Sequence, residues 1–168
     1  MHSPITDDQF SALIDEHKGI IFKIANAYCR NAEDRKDLVQ EIAVQLWKSH
    51  GKYDPRFKLS TWIYRIALNV AISAYRREKR RNDRVAPPEE IIFEPAAEQE
   101  APNPKIATLH RIIAQLDELN RALMILYLGD NNYRDIAGIL GLTETNVATK
   151  ISRLKSKIKE QFDQTNTD

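Results

Sequence analysis

Aromatic, basic and amide side chains cluster around residues 53–76, where together they could bind a single nucleic-acid strand. Those that share one side of a predicted helix, at spacings of three, four and seven, are Trp62, Arg65, Asn69 and Arg76. The loop just before that helix contains Tyr53, Arg56, Phe57 and Lys58. Rings can stack on unpaired bases, cations can contact phosphates, and an amide can bind a base edge. This combination indicates a nucleic-acid surface.

Each part of that pattern also has a simpler interpretation. Trp62 alone could be a core residue. The run "RREKRR" at 76–81 could be a solvated helix end whose positive charge complements the helix dipole. Only the occurrence of these residues together in one stripe favours nucleic acid.

A second polar and basic surface lies near the C-terminus, in "LTETNVATKISRLKSK". Val147, Ile151, Leu154 and Ile158 form an apolar helical stripe. The opposite side is nearly free of acids and carries Thr145, Asn146, Thr149, Lys150, Arg153 and Ser156. A short helix, the turn "GLT" and this longer helix together form a helix-turn-helix pattern. The exposed side has the chemistry needed to read a major groove.

A third surface is acidic and lies on the second predicted helix. Its members are Asp37, Gln40, Glu41, Val44 and Lys48. The strip is either an ordinary solvated face or a docking site for a basic partner. The helix pattern by itself leaves both interpretations open.

Helical periodicity places these surfaces on seven helices, so we predict an all-α chain. Three helices fall at about 8–30, 34–49 and 61–81, with Ser60 as N-cap of the third. Its predicted core stripe is Ile63, Ile66, Ala67, Val70 and Ala74. Four further helices fall at about 105–117, 119–128, 133–140 and 144–162, with Asn132 and Thr143 as N-caps of the last two.

The segment 82–104 differs in composition from both flanking parts. It has five prolines, and six acidic residues against one basic residue, whereas the whole chain has a net charge of +1. Proline and glutamate at this density oppose regular structure. We therefore predict domains at 1–81 and 105–168, joined by a flexible acidic linker with a short apolar patch at Ile91–Phe93.

Composition restricts the class of protein further. Hydrophobic residues make up 42% and charged residues 29% of the 168 positions, as expected for a packed protein. No apolar run has the length of a membrane span, and the N-terminus has no secretion signal. The single cysteine, Cys29, excludes an internal disulfide, and we expect it to be a buried structural thiol in a reducing cytoplasm.

Three ordered motifs resemble an extracytoplasmic-function (ECF) sigma factor of bacterial RNA polymerase. They are "DLVQEIAVQLW", "STWIYRIALN" and "YRDIAGILGLTETNVATKISRLK", with the proline-rich segment between the second and third. The resemblance covers about residues 8–81 and 105–162. It implies a three-helix sigma region 2 that recognises and melts the −10 promoter element, and a four-helix region 4 that reads the −35 element.

The resemblance also assigns roles to individual residues. Asp37, Gln40 and Glu41 match positions that dock on the clamp coiled coil of the largest polymerase subunit. Tyr53 matches an aromatic residue in the loop that holds an extruded −10 base, and Asn69 matches an amide that contacts the melted strand. The residues that fall in the −35 reading helix are Thr145, Asn146, Thr149, Lys150 and Arg153.

The partners implied by the resemblance are core RNA polymerase, promoter DNA and an anti-sigma factor, with region 4 meeting the polymerase flap. A stand-alone helix-turn-helix regulator would explain residues 130–160 but neither the Trp62/Asn69 surface nor the acidic strip on the second predicted helix. An enzyme is the other alternative. The four histidines are scattered, no HExxH or phosphate-binding loop is present, and no acid cluster suits a metal. We therefore expect no catalytic site, metal, cofactor or small-molecule substrate.

Overall fold

A computed structural model describes residues 5–85 and 103–167, and every regular element in these ranges is helical. The all-α prediction is therefore confirmed. The helices are α1 (Asp7–Tyr28), α2 (Ala32–Ser49), α3 (Leu59–Val85), α4 (Pro104–Ala114), α5 (Glu118–Leu128), α6 (Tyr133–Leu140) and α7 (Glu144–Thr165). A short 3-10 helix, His50–Lys52, follows α2. The chain divides into two compact units, one with α1–α3 and one with α4–α7.

In the first unit, each of α1, α2 and α3 packs against the other two. Capping residues fix where the first two helices begin. The hydroxyl of Thr6 accepts a hydrogen bond from the Gln9 N–H, and the Gln9 side chain accepts one from the Thr6 N–H in return. Asn31 caps α2 by accepting from the Asp34 N–H at 2.8 Å.

The third helix differs from its prediction in its start, its end and its buried stripe. It begins at Leu59, and the Trp62 N–H donates to the Lys58 carbonyl, so Ser60 lies inside the helix and its assignment as N-cap is wrong. The buried stripe is also rotated. Its fully buried members are Ile63, Tyr64, Ala67, Leu68 and Ala71, whereas Ile66, Val70 and Ala74 are only half-buried. Because α3 packs against both α1 and α2, the face of α3 that lies against these two helices is the one that is buried.

The second unit surrounds α7, which packs against α4, α5 and α6. The predicted stripe of Val147, Ile151, Leu154 and Ile158 is buried, which confirms the periodicity argument. Among the described residues, no helix combines the length and the apolar character needed to cross a membrane.

The predicted linker, 82–104, is described only at its two ends. At the N-terminal end α3 continues to Val85, and at the C-terminal end Asn103 caps α4, with Pro104 as the first helical residue. Proline suits this position because its missing N–H would have no partner in the first turn. The apolar patch Ile91–Phe93 lies outside the described residues.

Candidate nucleic-acid interfaces

The loop between the 3-10 helix and α3 is fixed by its own hydrogen bonds. The Tyr53 hydroxyl donates to the Phe57 carbonyl at 2.8 Å, and the Phe57 N–H donates to the Asp54 carbonyl at 3.1 Å. The Tyr53 ring lies 5.3 Å from the Trp62 ring, centroid to centroid, at an angle of 53°. The predicted aromatic residues of loop and helix are therefore neighbours.

Arg56 extends from the same loop into solvent beside Asp54. Its guanidinium lies 2.6 Å from the Asp54 carboxylate, and its backbone N–H donates to that carboxylate at 3.0 Å. Hydrogen bonding to Asp54, together with its negative charge, raises the pKa of Arg56. The side chain stays cationic and largely exposed, in a position where it can meet a phosphate.

Trp62 is both a core residue and a part of the predicted nucleic-acid surface, the two roles that the sequence left open. It is half-buried, and with Phe10, Leu13, Ile14 and neighbouring side chains it lines a small apolar cavity at one end of the first unit. Trp62 also contacts the Tyr53 ring. Trp62 therefore connects the core of the unit to the loop.

The remaining predicted residues of this surface are accessible. Along α3, Arg65, Asn69 and Arg76 are exposed, and in the loop Lys58 is exposed as well. The spacing of the α3 residues places them along one helical face, next to Trp62. The arrangement offers cations for phosphates and one amide for a base edge within a single unit.

The acidic strip on α2 is also exposed, and it contains an apolar residue. Asp37, Gln40 and Glu41 face solvent, and Val44 within the strip is 51% exposed. The Glu41 carboxylate accepts a hydrogen bond from the Arg77 guanidinium of α3 at 3.0 Å. That ion pair joins α2 to the basic end of α3, a contact that the sequence did not indicate.

The helix-turn-helix prediction is met in detail by α6, the turn and α7. The side-chain oxygen of Asn132 accepts from the Asp135 N–H at 2.8 Å, and that of Thr143 accepts from the Asn146 N–H at 3.1 Å, so both predicted N-caps are confirmed. Gly141 ends α6 in the left-handed conformation, with φ of 68°. Only glycine adopts this conformation without a steric penalty.

The outer face of α7 carries the residues predicted for groove reading. Thr145, Asn146, Thr149 and Arg153 are exposed, and Lys150 is half-buried. The Thr149 hydroxyl donates to the Thr145 carbonyl at 3.0 Å, which leaves its oxygen to accept from a base or a backbone donor. The face is positive and rich in short hydrogen-bonding groups.

The burial of two arginines was not predicted from the sequence. Arg121 is only 3% exposed, and its guanidinium donates to the carbonyls of Ala114 and Leu116 at 2.6 and 2.8 Å. These bonds satisfy the carbonyl of Ala114, the last residue of α4, where helices lack internal partners, and that of Leu116 in the turn that follows. Arg35 of α2 is also buried. Their charge suggested solvent exposure, and no local pattern distinguishes them from exposed arginines.

Cys29 follows α1 directly and is half-buried rather than fully buried. Burial, together with the negative charge of Asp34, raises the pKa of Cys29 to about 11. The thiol is therefore protonated at neutral pH and a poor nucleophile. In the described part of the chain, no group of three or more His, Cys, Asp or Glu side chains could hold a metal ion.

Both units match known protein families. A family model for sigma-70 region 2 matches residues 13–81, and one for sigma-70 region 4 matches residues 106–158. The ECF RNA polymerase sigma factor SigW of Bacillus subtilis is 24% identical over 92% of this chain and 89% of its own length. The ECF RNA polymerase sigma factor RpoE of Cereibacter sphaeroides is 27% identical over 86% and 79%, respectively.

A solved structure has the same fold. It is the sigma factor RpoE in complex with the anti-sigma factor NepR from Bartonella quintana. It superposes with a TM-score of 0.76 over 92% of this chain and 96% of that chain, at 18% sequence identity.

Proposed function

Because this chain belongs to the sigma-70 family, as an ECF RNA polymerase sigma factor, we propose how its surfaces divide the work of promoter recognition. The first unit, which contains α1–α3, docks on core polymerase and binds the −10 element. The second unit, which contains α4–α7, reads the −35 element. The segment between Val85 and Asn103 links them. The observation that carries the proposal is the presence of two separate exposed surfaces with different chemistry. One has aromatic and basic side chains, and the other has short polar and basic side chains.

The acidic strip on α2 is the proposed polymerase contact. Asp37, Gln40 and Glu41 supply exposed carboxylates and an amide for a basic partner helix, and Val44 can add apolar contact at the centre. An apolar contact surrounded by polar groups is typical of protein interfaces. The Glu41–Arg77 pair is exposed on both sides, so it can be exchanged for a partner's cation at low cost.

The proposed −10 surface is formed by Tyr53, Arg56, Lys58, Trp62, Arg65, Asn69 and Arg76. Opening DNA costs about 1.4 kcal/mol per base-pair step, and extruding one base costs a few kcal/mol more. Stacking a captured base returns roughly 1–3 kcal/mol. The unit can therefore trap one or two bases and nucleate opening, while the polymerase stabilises the rest of the bubble.

The proposed −35 contacts are Thr145, Asn146, Thr149, Lys150 and Arg153 on α7, placed in the major groove. An arginine that contacts a guanine with two hydrogen bonds contributes about 1–3 kcal/mol of discrimination. The net charge of the whole chain is only +1, so its long-range attraction to DNA is weak. We therefore expect tight promoter binding only in complex with core polymerase.

Control by an anti-sigma factor completes the proposal. The RpoE of the solved complex is bound by such a protein, and this chain has the same fold. The chain would act without catalytic activity of its own, in the cytoplasm, where bacterial RNA polymerase transcribes. The alternative of a stand-alone duplex-binding regulator requires neither the α2 strip nor the −10 surface.

The test is run-off transcription with purified core polymerase on a promoter library, comparing wild type with Asn69→Ala and Arg153→Ala. We expect Asn69→Ala to impair opening more than initial binding. Arg153→Ala should weaken upstream recognition by about 1–3 kcal/mol if it contacts a base. Lys159→Ala, which removes an exposed α7 cation at a different angle around the helix, is the matched control.

Two results would overturn the proposal. One is that the wild-type chain does not associate with core polymerase or does not direct it to any defined start site. The other is that both variants transcribe as well as wild type, which would refute the residue assignments while leaving the family function intact.

A further inference from the structure

The loop of residues 53–58 holds two aromatic rings in opposite situations. Tyr53 is half-buried, its ring lies 5.3 Å from Trp62, and its hydroxyl donates to the Phe57 carbonyl. The Phe57 ring is 65% exposed, more than any other large apolar side chain in the described residues. One ring is therefore committed to the loop, and the other is presented to solvent.

The backbone that presents Phe57 is held at both of its polar groups. Its N–H donates to the Asp54 carbonyl at 3.1 Å, and its carbonyl accepts from Tyr53 at 2.8 Å. The Asp54 carboxylate in turn accepts from the backbone N–H of Arg56 at 3.0 Å. A loop ordered in this way loses less conformational entropy when it binds, which favours affinity.

The residues on both sides of Phe57 carry the positive charges that bind the phosphates of a nucleic-acid strand. Arg56 and Lys58 precede and follow it, and both are exposed. An exposed ring between two cations can stack on a base while the cations contact the flanking phosphates. Tyr53 is less suited to this role, because its ring is half-buried and lies 5.3 Å from the Trp62 ring.

We propose that Phe57, rather than Tyr53, is the ring on which an unpaired base of the −10 element stacks, and that Tyr53 is the positioning residue that supports the loop. This inference rests on the proposed function, because it assumes that the first unit meets a melted strand. It assigns the stacking contact to a residue that the family resemblance does not single out.

The test uses the full chain bound to core polymerase and a fork-junction DNA whose −10 strand is already unpaired. Phe57→Ala should weaken binding by roughly 5- to 150-fold, the equivalent of about 1–3 kcal/mol for one stacked base. Phe57→Trp should restore affinity, since it supplies a ring. Phe57→Leu should not, although it restores apolar bulk. Phe22→Ala, which removes a 49% exposed ring from α1, should bind like wild type.

A second experiment identifies which base of the unpaired strand stacks on Phe57. Abasic sites are placed one at a time along the unpaired strand, and each is combined with Phe57→Ala. At the stacked position the abasic site should weaken wild type but add nothing to the variant, because both changes remove the same contact. Tyr53→Phe, which deletes only the hydroxyl, should keep this coupling at the same position.

The outcomes separate the inference from the proposed function. If Phe57→Ala binds within about twofold of wild type, if leucine restores affinity as well as tryptophan, or if no abasic position is coupled to Phe57, the inference is wrong. Coupling of the abasic site to Tyr53 instead would return the stacking role to that residue. Failure of the wild-type complex to bind the fork at all would instead refute the proposed function.

Discussion

Gly141, in the turn between α6 and α7, is a position where one added methyl group should destabilise the local structure. Its φ of 68° lies in the left-handed region, and its N–H donates to the Ala137 carbonyl. The Leu142 N–H donates to the same carbonyl at 3.0 Å, which completes the helix end. A Cβ added to Gly141 would meet no atom within 4 Å. The cost of Gly141→Ala therefore comes from the backbone conformation alone.

That cost can be estimated. A Cβ in the left-handed conformation costs roughly 1–2 kcal/mol. Replacing glycine with alanine also restricts the unfolded chain, which returns about 0.4–1 kcal/mol. The net loss of stability is about 1 kcal/mol, or about fivefold in a local equilibrium constant. Gly141→Asn should lose less, because asparagine tolerates this conformation better.

Gly138 provides a matched control within the same helix. It is exposed, and a Cβ there would also meet no atom within 4 Å. In a regular helix alanine is favoured over glycine by roughly 0.8–1.0 kcal/mol. The same substitution should therefore stabilise the unit at Gly138 and destabilise it at Gly141.

Hydrogen exchange of the α6 and α7 amides in the full chain is the suitable assay. Tryptophan fluorescence would not report on this unit, because Trp47 and Trp62 both belong to the first one. We expect about fivefold faster exchange in Gly141→Ala and slower exchange in Gly138→Ala. If both variants shift in the same direction, the argument from backbone conformation is wrong.

Two further predictions concern buried groups. Because burial raises the pKa of Cys29 to about 11, iodoacetamide should alkylate the native chain much more slowly than the unfolded chain. The unfolded thiol ionises first, near 9.0. The free energy of unfolding should therefore fall as pH rises from there towards 11, and a flat profile would contradict the shift. Arg121→Met leaves the carbonyls of Ala114 and Leu116 without their donor. We expect a loss of about 1–3 kcal/mol in denaturant unfolding, and an unchanged midpoint would show that water replaces the guanidinium.

Features that depend on nearby residues were predictable from the sequence. The four apolar residues of α7 are buried as their spacing predicted, and Asn132 and Thr143 cap the helices they were assigned to. Gly141 occupies the turn. Each of these outcomes is set within a few residues by helical geometry and local hydrogen bonding.

Features that depend on packing between distant segments were not predictable. The helical periodicity correctly predicted that Ile63 and Ala67 of α3 are buried. It also predicted burial of Val70 and Ala74, whereas the structure buries Leu68 and other residues instead. Several faces of α3 are apolar enough to be buried. The positions of α1 and α2 decide which one is.

The chain therefore divides into what the sequence by itself determined and what only the tertiary structure decided. Helix number, the helix-turn-helix and the residue types of each surface follow from the sequence, because periodicity and capping act over one or two turns. The burial of Arg121 and the different exposure of Tyr53 and Phe57 follow from the fold. Whether a side chain is covered depends on which other segment lies against it, and no local pattern contains that information.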